Sequence, residues 1–248
     1  MSDQAVVHSD GFAGAPSRWR LNKHEDRLPM CTKIITALNP SSLLDIGAGD
    51  GLFLDRLSRA VPTLEDLAGI ELNEDAVRVM RNKGYNAHAC SASAEYPFKN
   101  AQFDVVFAGE VIEHVFDPDA MLRECRRVLK QSGTLVITTP NLLAWHNRIL
   151  MLLGVTPFFV EHSYVETYGP MYSLLKRPSV PVGHLRIYNL TPLRALLRRN
   201  GFEIKKVQGF AFLPIPGLFA IDRAISRGRP ALASGFVVTA SPASAGVA

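Results

Sequence analysis

The chain has 248 residues, 47% of them hydrophobic and 20% charged. A chain this apolar can offset its ordering entropy by burial, so wholesale disorder is excluded, and its length suits one domain with an elaboration or two small ones. Three cysteines (Cys31, Cys90, Cys125) lie far apart with no CxxC pair, which excludes a disulfide scaffold and points to a reducing, cytoplasmic compartment. The longest apolar run, residues 149–160, contains Gly154 and Pro157. Residues 210–221 are apolar but broken by Pro214, Pro216 and Gly217. Neither matches the ~20 residues of a membrane span, although both leave peripheral membrane contact open. The opening MSDQAVVHSD has no basic stretch and no apolar core, so it does not read as a signal peptide.

The net charge of +4 is unevenly spread. Residues 1–120 carry 11 Lys/Arg against 18 Asp/Glu, and residues 121–230 carry 16 against 5. A basic second half suits an anionic partner such as phosphate, nucleic acid or a membrane surface; a solvated basic face is the plainer reading. The cations are scattered over helix-like segments without interleaved aromatics, so nucleic acid is not favoured.

Residues 1–17 read as a flexible tail, and 18–40 become helical toward their end, at Asn39-Pro40. A regular alternation follows. Residues 42–47 (SLLDIG) form a buried strand, and 50–60 a helix. Residues 66–71 (DLAGIE) form the second strand, and 73–83 a helix with Asn73 as N-cap and Gly84 past its end. Residues 85–90 are a weaker third strand and 103–108 (FDVVFA) a strong fourth. Residues 117–130 form a helix opened by Asp117-Pro118, and 134–139 (TLVITT) the fifth strand. Strands alternating with helices at this spacing predict a parallel sheet covered by helices on both faces.

After Pro140 the rhythm breaks. Residues 141–190 hold a helix over 142–152 and then a Pro/Gly/Tyr/His-rich stretch, which reads as a lid inserted between the fifth and sixth strands. Within it, Trp145, His146, His162, Tyr164, Tyr168 and Tyr172 form either an aromatic floor for a ring-shaped substrate or the lid's own core. A helix over 191–200, with Thr191 as N-cap, precedes strands over 202–207 and 235–240. One domain over 18–240 is expected, with a second flexible tail over 241–248.

The chemistry begins at residues 43–51, LLDIGAGDG. Gly47, Gly49 and Gly51 permit a tight strand-to-helix turn that no side chain obstructs, at the carboxyl edge where open α/β sheets bind ligands. Asp45 ends the first strand and Glu71 the second, where a carboxylate can accept both hydroxyl hydrogens of a ribose. The third glycine of a dinucleotide fingerprint is replaced by Leu52, so the pattern is GxGxG and not GxGxxG.

Together with GIELN, FDVVFAGEVIEH and RVLKQSGTLVITTPN, this loop resembles the motifs of the class I S-adenosylmethionine-dependent methyltransferases. The likeness is close over about residues 28–140 and looser over 184–240. It implies a Rossmann-like, mostly parallel sheet of seven strands whose last, 235–240, is antiparallel. It also implies S-adenosylmethionine as cofactor. Asp45, Gly47 and Gly49 would border its amino-acid part, Glu71 its ribose and Leu72 its adenine. The acidic residue often found after the third strand is Ala92 here, so the adenine amine is expected at a carbonyl near Ser93 and Ala94.

The string Glu110-Val-Ile-Glu113-His114 follows the fourth strand. If helical, its offsets of three and four put two carboxylates and an imidazole on one face, a candidate Mg²⁺ or Mn²⁺ site. The string resembles that of metal-dependent O-methyltransferases, among them the ubiquinone-biosynthesis and small-RNA 2′-O-methyltransferases. In the latter a second histidine completes the site, and His184, before the 191–200 helix, holds a matching place. Three readings stay open. The four residues Glu110, Glu113, His114 and His184 bind a metal; or His114 and His184 act as acid and base without one, with Glu110 beside the cofactor; or the group is structural.

A hydroxyl acceptor must lose a proton, which is why such a cluster favours oxygen over nitrogen. The expected activity is an O-methyltransferase acting on a hydroxyl, preferably of a vicinal diol, in a small molecule or glycan. A quinol or other lipid-soluble acceptor and an RNA 2′-hydroxyl are alternatives, and a catalytically idle S-adenosylmethionine-binding partner protein is an alternative of another kind.

Overall fold

The computed structural model describes residues 26–163, 165–166, 181–212 and 217–244. The expected tail over 1–17 and Tyr164, Tyr168 and Tyr172 lie outside the described residues. Seven strands form one sheet: β1 (Ser42–Ile46), β2 (Asp66–Glu71), β3 (Asn86–Ala89), β4 (Phe103–Gly109), β5 (Leu129–Pro140), β6 (Phe202–Phe210) and β7 (Gly235–Pro242). Their order is β3-β2-β1-β4-β5-β7-β6. β7 runs antiparallel to both β5 and β6, and the remaining pairs are parallel. This is the seven-stranded arrangement that the motifs implied.

The strands sort their side chains by period two. Leu44 and Ile46 of β1 enter one apolar cluster with Val106, Leu122 and Leu197, while Leu43 joins Leu54, Val77 and Val136 in another. Each face of the sheet is therefore buried under helices, which is why β1 is apolar apart from Ser42 at its start and Asp45. The helices are α1 (Arg27–Leu38), α2 (Leu52–Ala60), α3 (Glu74–Asn82), α4 (Pro118–Val128), α5 (Trp145–Leu152), α6 (Leu190–Arg199) and α7 (Phe219–Gly228). None of the described helices is long and apolar enough to cross a membrane.

Asn73 caps α3 as expected, its side chain accepting from the amides of Asp75 (2.8 Å) and Ala76 (3.2 Å). Asp117 likewise caps α4, accepting from the Ala120 amide at 2.8 Å. Three expectations are corrected. The N-cap of α6 is Asn189, which accepts from the Thr191 amide (3.1 Å); Thr191 already lies inside the helix. The helix expected to reach residue 130 stops at Val128, because Leu129 pairs with Phe103 and extends β5 backward. Helix α7 has no counterpart in the sequence reading: its buried residues are Asp222 and Ser226, so its inner face carries no apolar period.

At the amino edge of the sheet, Asp104 ties three segments together. It accepts from the backbone amides and hydroxyls of Ser41 and Ser42 and from Lys130 Nζ (2.7 Å). Burial pushes this carboxyl up, but Lys130 and the two serines outweigh it and hold it well below the usual carboxylate range. A depressed carboxyl adds stability above its unfolded value of about 3.9, and that stability is lost as pH falls below it. Asp104→Asn is expected to cost about 2–3 kcal/mol at pH 7. Urea melts should show the gap between variant and parent narrowing as the pH is lowered from 5 toward 2.

Candidate active site

The carboxyl edge of β1 is shaped by backbone before side chains enter. The Gly47 and Ala48 amides both donate to Ile70 O (2.9 and 3.1 Å), turning the chain sharply off β1. Gly47 has φ +68°, and a Cβ there would stand 2.8 Å from Val111 Cγ2, so a side chain is barred twice over. Val111 belongs to the EVIEH string, and this contact sets the glycine loop directly against the second motif. Gly49, at φ +55°, has open space where a Cβ would point.

Glu71, at the end of β2, faces that space. Its Oε2 accepts from the Gly49 amide (3.0 Å), and its Oε1 from the amides of Leu72 (2.8 Å) and Asn73 (3.2 Å). Leu72 is 67% exposed at the rim. Asp45 is buried, and its carboxyl is raised by burial and by the charge of Glu71, against an opposing pull from Arg27. Ser93 and Ala94 lie in the turn after β3, where their amides donate to Ser91 Oγ (3.3 Å) and Ser91 O (3.1 Å). The Ala92 carbonyl in the same turn accepts from the Tyr96 hydroxyl at 2.8 Å.

The EVIEH string does not begin an α-helix. Glu110 has φ +57°, and only Ile112–His114 coil, as a single 3₁₀ turn. Its residues therefore diverge. Glu110 Oε1 accepts from Thr138 Oγ1 (2.8 Å) at the end of β5. Glu113 is fully buried, and its Oε2 accepts from Thr139 Oγ1 (3.0 Å). Burial and then the neighbouring Glu110 raise the Glu113 carboxyl well above its ordinary value. Its Oε1 has no hydrogen-bond partner.

His184 arrives from a distant part of the chain, as its place before α6 suggested. The Leu185 and Arg186 amides donate to Glu113 O (2.9 and 3.2 Å), laying residues 183–186 along the 3₁₀ turn. His114 Nδ1 donates to Gly183 O (3.0 Å), and His184 Nδ1 donates to Phe159 O (3.1 Å). The two imidazole centroids are 4.8 Å apart. Donation from Nδ1 makes Nε2 the accepting nitrogen of each ring in its neutral form. Neutral rings are favoured: burial lowers His114, while burial and then the charge of His114 bring His184 down to about 4.

Glu113, His114 and His184 thus present ligand atoms within 4.8 Å of one another, and Glu110 lies outside this group. One carboxylate with two imidazoles is a softer donor set than the two-carboxylate face expected from the sequence. It suits Mn²⁺, Fe²⁺ or Zn²⁺ better than Mg²⁺.

Several residues of the site escaped the sequence reading. Thr138 and Thr139 lie within the RVLKQSGTLVITTPN string but draw no role from it, yet each holds one glutamate. Arg27, the first residue of α1, lowers both Asp45 and Glu113, and its Nη1 stands 3.4 Å from where a Gly109 Cβ would be. Of the lid aromatics, His146 is buried, meeting Asn147 Oδ1 and Ser234 Oγ (3.1 and 3.0 Å), and Trp145 Nε1 donates to Asp222 (2.9 Å). These bonds tie the two side chains to residues 222 and 234, whereas His162 is exposed.

A seven-stranded sheet of this order, with a glycine turn at β1 and an acid closing β2, defines a class I methyltransferase fold. Residues 44–137 match the methyltransferase domain family. A probable S-adenosylmethionine-dependent methyltransferase of Mycobacterium tuberculosis is 33% identical over 136 residues, 50% of this chain and 48% of that protein. The chain thus spans about half the length of that relative. A ubiquinone biosynthesis O-methyltransferase of Bordetella avium is 23% identical over 89% of both chains. The solved structure of a S-adenosylmethionine-dependent methyltransferase from Methanosarcina mazei superposes with TM-score 0.59 at 20% identity, over 85% of this chain and 97% of that one. Residues 44–137 thus match a methyltransferase domain, and the sheet as a whole has the class I methyltransferase fold.

Proposed function

We propose that residues 18–240 form one catalytic domain, with 141–190 as its lid, that transfers a methyl group from S-adenosylmethionine to a hydroxyl oxygen of a small molecule or glycan. The observation that carries the oxygen assignment is the cluster of Glu113, His114 and His184, set against the glycine loop through the Val111–Gly47 contact. A neutral amine acceptor has no need of such a group, whereas a hydroxyl must lose its proton.

The residues present fit the cofactor. The space over Gly49 is one that only a backbone without Cβ leaves open, and Glu71 is a carboxylate suited to paired hydroxyls. Leu72 offers an exposed apolar surface for a flat base, with Ser93 and Ala94 on the turn beside it. Arg27 supplies a cation for the carboxylate of an amino acid, and Asp45, its carboxyl raised by burial and by Glu71, a hydrogen-bonding group for the ammonium. S-adenosylmethionine supplies a sulfonium methyl group, whose transfer forms a C–O bond, breaks the C–S bond and leaves a neutral thioether.

The chain's own work is to orient the acceptor and take its proton. Burial disfavours the charged form of His114 and of His184, which leaves either Nε2 open to receive the proton as the acceptor oxygen forms its new bond. Holding acceptor and donor in line contributes up to ~7–11 kcal/mol of barrier lowering.

The unpartnered Glu113 Oε1 and the two imidazoles also fit a divalent cation. Such an ion would make a bound hydroxyl more acidic, and a vicinal diol offers it two oxygens. Incubation with radiolabelled S-adenosylmethionine and a panel of ortho-diphenols, vicinal diols and amines tests this reading. Labelled methyl ethers are the expected products, with turnover lost in EDTA and restored by Mn²⁺. Full turnover in chelator would remove the metal and leave the histidines. Labelled amines alone would overturn the oxygen assignment, and cofactor binding with no transfer to any acceptor would favour an idle binding protein.

One observation favours a lipid-soluble acceptor. Leu152 and Leu153, at the end of α5 on the carboxyl side of β5, are 87% and 71% exposed. Retention of activity on a short-chain quinol, but not on a sugar diol, would select it.

A further inference from the structure

One carboxylate that belongs to no motif is bonded to the loop that carries His184. Glu161 is joined to the segment that carries His184 by three hydrogen bonds. Its Oε1 accepts from the Val182 amide (2.7 Å), and its Oε2 from the amides of Gly183 (2.8 Å) and His184 (3.0 Å). Three successive amides turned on one anion form a nest, here made possible by the left-handed Gly183 (φ +82°). Two residues before Glu161, Phe159 has φ +73°, a conformation that a bulky side chain adopts only when its surroundings enforce it. The carbonyl of that same residue receives the His184 Nδ1 proton. Lid residues 159–161 therefore grip the residue-184 loop twice, once by its backbone and once by its imidazole.

We propose that Glu161 is a positioning residue: its carboxylate clasps the 182–184 amides so that the Phe159 carbonyl fixes His184 in the Nδ1–H tautomer, with Nε2 as its accepting atom beside His114. This rests on the proposed role of His184 in receiving or coordinating the acceptor oxygen. Each link is needed for the next. The amides draw Gly183 and His184 to the lid, and the Gly183 carbonyl in turn receives His114 Nδ1. Both imidazoles thus take their orientation from one short loop, and Glu161 anchors that loop. Acting on a ring through its remote nitrogen is how outer partners tune reactive histidines elsewhere, with typical losses of about 10–100-fold on removal.

The test uses the full chain, ¹⁵N-labelled, with long-range proton–nitrogen spectra of the histidine rings and His184→Gln to assign the His184 signals. In the parent, His184 should show one protonated and one unprotonated nitrogen with widely separated shifts. In Glu161→Ala the two shifts should move toward each other as the tautomers exchange. Turnover should fall at least about tenfold, with cofactor affinity unchanged. Glu161→Gln, which keeps one accepting oxygen, should recover part of both effects. An unaltered single tautomer with unaltered turnover in Glu161→Ala would overturn the proposal and reduce the clasp to a loop brace. If the alanine variant does not fold, Glu161→Gln carries the same comparison. The spectra need neither cofactor nor acceptor, so a parent chain that transfers no methyl group would sink the proposed function while the clasp is still decided.

Discussion

Glu71→Ala is expected to weaken S-adenosylmethionine binding about 100-fold or more, measured by calorimetry on the purified chain. A carboxylate at the end of β2 can make two charge-assisted hydrogen bonds to paired hydroxyls, each of about 1.5–3 kcal/mol, and every 1.4 kcal/mol is a factor of ten. The structure adds a second source of loss. Glu71 also gathers the amides of Gly49, Leu72 and Asn73, so its removal leaves the glycine loop unheld at its tip. Glu71→Gln separates the two effects. It keeps one accepting oxygen for the loop but loses the charge, and an affinity between parent and alanine is expected. An unchanged dissociation constant in both variants would reject Glu71 as the ribose anchor.

Glu113→Ala is expected to lower turnover about 10³-fold or more while leaving the cofactor dissociation constant within a factor of two or three. Glu113 is the one carboxylate of the cluster, and its unpartnered Oε1 is the atom the proposed function employs. The opposite half of its carboxylate is committed to Thr139, and its backbone carbonyl to residues 185 and 186. A folding defect would appear in both readouts together, so separation of the two constants is the decisive result. Mn²⁺ binding by calorimetry should vanish in the same variant. Turnover near the parent level in Glu113→Ala would place the chemistry elsewhere along the carboxyl edge of the sheet.

The polar groups of the site were readable as types but not as a geometry. Asp45, the glycines and Glu71 fall at strand ends, and strand ends are set by local pattern, so their convergence on one edge follows from the alternation alone. The EVIEH string is different. Its residues suit a helix face, but Glu110 is drawn into a left-handed conformation by Thr138, which donates to its side chain and whose carbonyl accepts from its amide. That contact spans 28 residues, and no window along the chain contains it. His184 was legible as a partner by its place before α6, whereas Glu161 was not, because a lone glutamate in a Pro/Gly-rich stretch resembles any solvated carboxylate.

Helices α5 and α7 show the same limit from the packing side. Their buried positions are His146 and Asn147, and Asp222 and Ser226, while Leu152 and Ile221 face outward. Asp222 is held inside by Trp145 Nε1, Ser234 Oγ and the Phe212 amide. A helix whose inner face is polar inverts the hydrophobic period, so α7 was missed and the lid's core was left ambiguous.

Local sequence determined the alternating strands and helices, the glycine turn, and the two acids that close β1 and β2, because each depends on the period and backbone freedom of a few adjacent residues. Which carboxylate lies beside the histidines, and which carbonyl each ring donates to, were decided only by the tertiary fold. Those choices rest on hydrogen bonds between segments far apart in the chain, and the burial that makes such bonds strong exists only once those segments have packed together.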